Sequence, residues 1–225
     1  MTAPIKPMRP TCARCLRPQT ACICHWITPI ENAVEVLILQ HPLEVDSAKG
    51  SARLLHLILV NSRMVTGEAF AEQALRALLC APLPGEAETH AASGAPLKHT
   101  VLLYPDTPSA NTVGISAPPP LDQDLLHDPA RLRLVVLDGT WRKSRKMLYL
   151  NPLLQNLPRL PLREPPASHY RIRKAHRPDQ LSTLEATCYG LMQLEGGDEK
   201  YRPLLNAFDG FVDQQLGYRA AEKKV

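Results

Sequence analysis

The chain has 225 residues, a formal net charge of +4, and 44% hydrophobic but only 5% aromatic residues. That is enough apolar material for one α/β domain with a core of Leu, Val, Ile and Ala, and too much for a disordered chain. No apolar run approaches the ~18–20 residues needed to cross a bilayer, and the opening MTAPIKPMRPTCARC lacks the apolar stretch of a signal peptide, so a cytoplasmic protein with no membrane association is expected.

In chain order, residues 1–30 form a Cys- and Pro-containing leader with little periodicity. Within it, Cys12-x2-Cys15-x6-Cys22-x-Cys24 crowds four thiols into thirteen residues. In a reducing compartment such a cluster points to a metal site rather than to disulfides. Two close pairs can wrap one tetrahedral Zn²⁺, and a full shell of four leaves no open position, so the zinc would be structural. Free or redox-active thiols are the competing reading. Arg14 and Arg17, with no acid before Glu31, favour thiolates. Cys80 and Cys188 sit alone in apolar patterns and read as small buried hydrophobes.

The run VEVLILQH at 34–41 predicts a buried strand, ended by Pro42. Leu54, Leu57 and Ile58 recur at helical spacing in a helix expected over 47–61, and a second helix is expected over 68–80. Residues 84–99 read as a loop. Residues 100–104 and 131–137 predict two more buried strands, separated by a surface stretch rich in Pro, Ser and Thr. Asp138-Gly139-Thr140 turns into a helix over 141–148, and a Pro-rich connection runs to Pro166. Residues 170–173 predict a last strand. Closing helices are expected over 181–194, with Ser182 or Thr183 as N-cap and Glu185 in the first turn, and over 201–216.

Strands alternating with helices predict an α/β domain over 31–225, with a mostly parallel sheet, helices on both faces, and residues 1–30 as an appendage. Ligands of such sheets bind beyond the carboxyl ends of the strands, which singles out the loops after Tyr104, Leu137 and Arg173. Neither G-x-G-x-x-G nor the phosphate-binding G-x-x-x-x-G-K-[ST] occurs. Residues 131–177 carry twelve Lys/Arg against Asp138 and Glu164, which is either a polyanion footprint or an unevenly charged solvated face.

The most informative stretch is LVVLDGTWRKSRKML at 134–148. Asp138 ends a buried strand, where α/β enzymes place catalytic groups. Gly139 permits a sharp turn or a close approach to a ligand. Thr140 can cap the helix, and Trp141 can pack beneath a site or stack on a base. Arg142, Lys143, Arg145 and Lys146 load the helix with positive charge. The plainer alternative makes Asp138 a helix cap and Trp141 core. Likewise His41 and Glu44 read as strand-end polar residues or as site residues.

This segment resembles the DTW-domain family of tRNA-uridine aminocarboxypropyltransferases. The likeness extends to the Cys pairs, His41-Pro42-x-Glu44, Arg53-Leu54-Leu55, Leu103-Tyr104-Pro105-Asp106, Tyr170-Arg171-Ile172-Arg173 and Leu181-Ser182-Thr183-Leu184-Glu185-Ala186, in family order over roughly 12–190. One departure is Gly50-Ser51-Ala52, where the family has Asn-Thr before Arg-Leu-Leu.

The resemblance implies a SPOUT-like trefoil knot around S-adenosylmethionine. It implies cofactor contacts from Leu103, Tyr104, Pro105, Asp106, Leu137, Gly139, Thr140, Trp141, Ser182, Thr183 and Glu185. Asp138 would act as general base on N3 of a loop uridine. Arg171 or Arg173 would hold the methionine carboxylate or a tRNA phosphate, and Arg53 would reach the cleft. Arg142, Lys143, Arg145 and Lys146 would track tRNA phosphates. The target uridine would lie in the variable loop, methylthioadenosine would leave, and the enzyme would act as a monomer. An RNA methyltransferase using the same cofactor, or a zinc-containing RNA-binding module without catalysis, are the competing readings.

Overall fold

The structure, a computed structural model, describes residues 10–80, 98–106, 117–172 and 180–222. Five strands, β1 (Glu35–Gln40), β2 (Ser62–Thr66), β3 (His99–Leu103), β4 (Leu132–Asp138) and β5 (Arg159–Leu160), form one all-parallel sheet in the order β2-β1-β4-β3-β5. β1 and β4 are buried at every position, as expected of central parallel strands covered on both faces. Their side chains alternate. Val36, Ile38, Leu134 and Val136 enter one core; Leu37, Leu39, Val135 and Leu137 enter the other.

The first core is closed by α1 (Ala52–Ile58), α5 (Thr183–Glu195) and α6 (Asp198–Glu222), through Leu54, Leu184, Leu191, Phe208 and Phe211. The second is closed by α2 (Glu72–Cys80), α3 (Trp141–Leu150) and α4 (Pro152–Gln155), through Leu75, Met147 and Leu154. Helices therefore lie on both faces of a parallel sheet, as the sequence predicts.

At the amino-terminal end of the sheet, Glu35 and Arg133 pair in register, 98% or more buried, through bonds of 2.8 Å from Arg133 Nε and Nη2. At the other end Gln40 faces Asp138 in the same ladder. The chain leaves β1 toward β2 and leaves β4 toward β5, in opposite directions across the sheet. The crevice thus opens between the tips of β1 and β4, where such sheets bind ligands.

Four expectations need correction. Cys188 is buried as expected, but Cys80 is exposed, because it is the last residue of α2 and lies off the face that buries Leu75, Leu78 and Leu79. Residues 170–172 do not form a strand: 171–172 make a turn, and Arg173 lies outside the described residues. The buried–exposed–buried alternation of Tyr170, Arg171 and Ile172 imitates strand period, but among the described residues nothing supplies it a hydrogen-bonded ladder. The helix expected over 47–61 is confined to α1, because Leu59 turns extended and bridges Ile30. Finally, β2 and β5 are additional. β2 is a half-buried edge strand of SRMVT, and β5 is two residues in a Pro-rich stretch.

Candidate active site

The four N-terminal thiols converge. Cys12 and Cys24 sulfurs lie 3.6 Å apart, those of Cys15 and Cys22 3.8 Å apart, and all four lie within 4.8 Å of one another. A tetrahedron of ~2.3 Å Zn–S bonds has edges of ~3.8 Å, so the donor set fits zinc. The first pair is shaped as a knuckle: Leu16 takes φ 60°, its amide donates to Cys12 O (2.9 Å), and the Cys12 amide donates to Arg17 O (2.8 Å). Amides of Cys15 and Arg14 donating to the Cys12 sulfur lower its pKa to about 6, favouring a thiolate, while burial first of all pushes Cys24 up to about 12. Metal coordination would overcome that second penalty.

The knuckle is docked rather than appended. Trp26 Nε1 donates to Gln214 Oε1 (2.9 Å) on α6, and Gln214 Nε2 donates back to Cys22 O (3.1 Å). The Trp26 ring lies against Gly210, where an added Cβ would stand 2.5 Å from it.

Two cavities occupy the crevice beyond the strand tips. The larger, about 460 Å³, falls in the range of small-molecule sites and has mostly apolar walls from Leu103, Tyr104, Leu137, Trp141 and Leu181, with Arg142, Arg145, Gln180 and Thr183 as polar points. The smaller, about 140 Å³, is lined by Asp138 with Glu44, Ser47, Lys49, Gly50 and Ser51. Gly139, Tyr170, Ser182 and Thr183 belong to both, so the two chambers share a partition.

Asp138 lines the small chamber beside that partition, 5% exposed, and bonds to Thr183 of the shared wall. Its Oδ1 accepts from the Thr183 hydroxyl (2.7 Å) and its Oδ2 from Gln40 Nε2 (3.0 Å). Its carbonyl accepts from the His41 amide (2.9 Å). Asp138 does not cap α3; Thr140 does, accepting from the Lys143 amide (3.3 Å).

The other sequence-predicted residues divide. Leu103, Tyr104, Leu137, Gly139, Thr140, Trp141, Ser182 and Thr183 line the large chamber; Pro105, Asp106 and Glu185 do not. Pro105 O accepts from Arg159 Nη1 (3.2 Å) and Asp106 is exposed. Glu185 is 1% exposed and completes a capping box with Ser182, while its carboxylate also receives Ser168 Oγ and the His169 amide (2.7 Å). It therefore fixes the loop that carries Tyr170. Trp141 is 48% exposed and meets Tyr104 edge-on at 5.7 Å. Burial pushes the Tyr104 phenol up, keeping it a neutral donor.

Of the basic residues, Arg142 and Arg145 reach the large chamber. Lys143 pairs with Glu44 (2.9 Å) and Lys146 with Glu68 (2.8 Å). Arg171 pairs at the surface with Asp213 (2.7 Å), and Arg53 donates to Arg14 O (2.6 Å). Arg173 lies outside the described residues. His41 is held structurally: Nδ1 accepts from the Leu43 amide (3.1 Å), so Nε2 carries the proton toward Glu68 (2.7 Å).

Gln40, Tyr170 and the 47–51 loop escaped sequence reasoning. Gln40 had a signal, a polar side chain ending an apolar buried strand and needing a partner. Tyr170 stands in a motif block and Gly50-Ser51-Ala52 marks a departure from one, but no site role is read from either.

Comparison with known proteins adds the following. A family model described as the DTW domain matches residues 9–216. The chain is similar to "tRNA-uridine aminocarboxypropyltransferase 2" of Macaca fascicularis (26% identical, covering 96% of this chain and 68% of the relative). The protein of the same name from Mus musculus is 27% identical (94% and 65%), and that from Drosophila melanogaster 28% (95% and 78%). The chain spans about two thirds of the length of the macaque and mouse relatives. No solved structure matches the chain.

Proposed function

This chain belongs to the DTW domain family, and from that premise we propose that it is a transferase placing the 3-amino-3-carboxypropyl group of S-adenosylmethionine on N3 of a tRNA uridine. The large chamber takes the donor and the small chamber the uracil ring. Bound S-adenosylmethionine supplies, at its sulfonium, the electrophilic Cγ and the leaving group.

Asp138 accepts the N3 proton. As the N3–Cγ bond forms the Cγ–S bond breaks, its electron pair stays on sulfur, and methylthioadenosine departs neutral. Thr183 and Gln40 orient the carboxylate, so its position is set before the uridine arrives. The apolar wall with Tyr104 and Trp141 suits an adenine face. Arg142 and Arg145 suit the carboxylate of the transferred group. Arg171 pairs with Asp213 at the surface and Arg53 donates to the knuckle, and neither lines a chamber, so no role at the reacting atoms is assigned to them.

Uridine N3 is hidden in a Watson–Crick pair, so the target is a loop nucleotide; we place it in the variable loop. The four thiolates hold a structural zinc. A SPOUT-like knot and a cytoplasmic monomer complete the reading. The observation that carries it is the Asp138 carboxylate, lining the small chamber and held by Gln40 and by Thr183 of the shared wall. Mass spectrometry of tRNA incubated with protein and S-adenosylmethionine tests it: a gain matching one aminocarboxypropyl group on uridine is expected, and a methyl gain or no gain overturns it.

A further inference from the structure

The small chamber's outer wall is one short loop, residues 47–51, from which Ser47, Lys49, Gly50 and Ser51 all face the cavity. Its own regular bonding is slight, with the Gly50 amide donating to Ser47 O (2.9 Å). Three residues from elsewhere in the chain hold it. Tyr170 donates its hydroxyl to Lys49 O. Ser51 Oγ accepts from the Leu184 amide (3.4 Å).

The strongest of the three comes from inside the cysteine knuckle. Arg17 extends its fork across the loop, Nη1 to Ala48 O (2.7 Å) and Nη2 to Gly50 O (2.8 Å), with its guanidinium 4.9 Å over the Phe211 ring. The backbone of Arg17 is in turn fixed by the Cys12 amide (2.8 Å).

We propose that Arg17 is a positioning residue: it anchors the 47–51 loop to the thiolate knuckle and so sets the shape of the chamber in which Asp138 meets its substrate. The thiolate centre thereby acts on substrate binding at a distance. The fork is the reason for arginine here. Two carbonyls two residues apart need two donors held in one plane, which a lysine ammonium cannot supply together. No residue of this loop lines the large chamber, so the effect falls on one chamber alone.

The proposal rests on the two-chamber reading above, and its test separates the two. Arg17→Met keeps much of the apolar stem over Phe211 and removes both donors; Arg17→Lys restores one. Both variants are expected to retain one zinc per chain by metal analysis and unchanged S-adenosylmethionine affinity by calorimetry. Amide hydrogen exchange at residues 48–51 is expected to quicken at least tenfold in Arg17→Met, without tRNA or turnover. In the transferase assay KM for tRNA should rise about tenfold, with Arg17→Lys intermediate.

Unchanged exchange and unchanged KM in Arg17→Met overturn the proposal. Loss of zinc or of donor affinity along with tRNA binding also overturns it, because Arg17 would then serve the fold generally. If the wild-type protein makes no modified uridine, the proposed function fails, while the exchange result still decides whether Arg17 holds the loop.

Discussion

On the proposed mechanism, replacing Asp138 by Asn removes the base and leaves a side chain of the same shape in its place. The carboxylate receives hydrogen bonds from Thr183 Oγ1 at 2.7 Å and Gln40 Nε2 at 3.0 Å. An amide can keep its oxygen toward Gln40 and turn its NH₂ toward Thr183, whose hydroxyl then rotates to accept. What disappears is the charge assistance of these bonds, about 1–2 kcal/mol, or a fall in Tm of roughly 2–8 °C at this size. The kinetic loss is larger. A positioned general base contributes about 10²–10⁴-fold, which corresponds to about 3–5 kcal/mol of barrier.

The assay is single-turnover formation of modified uridine at saturating tRNA and donor, with filter binding of tRNA alongside. Asp138→Asn should bind tRNA within a few-fold of wild type and react at least a hundredfold more slowly. Its residual rate should climb with pH, as uridine N3 begins to ionise unaided. A variant reacting within tenfold of wild type, at any pH where the protein is folded, would refute Asp138 as the base.

Further outcomes follow from the packing. Arg133→Met takes the bidentate partner from the buried Glu35 carboxylate, leaving it beside Lys98 (3.2 Å), and should cost about 3–5 kcal/mol, read as a Tm fall of roughly 6–20 °C. Gly210→Ala gains about 1 kcal/mol of helix propensity but sets a Cβ 2.5 Å from the Trp26 ring, an overpacking cost of about 1–3 kcal/mol; a net loss of about 1 kcal/mol is expected by urea unfolding. Chelation of the metal, or Cys15→Ser, should abolish stoichiometric zinc and lower Tm, as metal analysis and calorimetry will show. His56 is a titration probe. Burial, and then Arg53, lower its pKa below the ordinary 6.5. The unfolded chain therefore takes up the proton first as pH falls, so the contribution is present above about 6.5 and shrinks as pH drops toward the folded value. Stability measured from pH 7.5 to 5.5 should fall less steeply in His56→Gln than in wild type.

The parts of the fold legible in advance are those where one periodicity is uncontested. The middles of β1 and β4 and the interior half of β3 are apolar runs, and α2, α3 and α5 repeat at helical spacing. β2 was hidden because an edge strand needs only half an apolar pattern, and β5 because two residues carry none. The turn at 170–172 misled because two buried anchors flanking an exposed arginine copy a strand's alternation.

Sequence alone singled out the candidate side chains: four thiols in thirteen residues, and one acid ending a buried strand before Gly and a helix cap. Those are local facts, dictated by neighbours a few residues away. Only tertiary structure decided what faces Asp138. Gln40 lies 98 residues before it and Thr183 45 after, and the loop opposite is held by an arginine from the cysteine knuckle. The physical reason is that hydrogen bonds and cavity walls depend on distance in space, and here the parallel sheet register and helix packing set those distances.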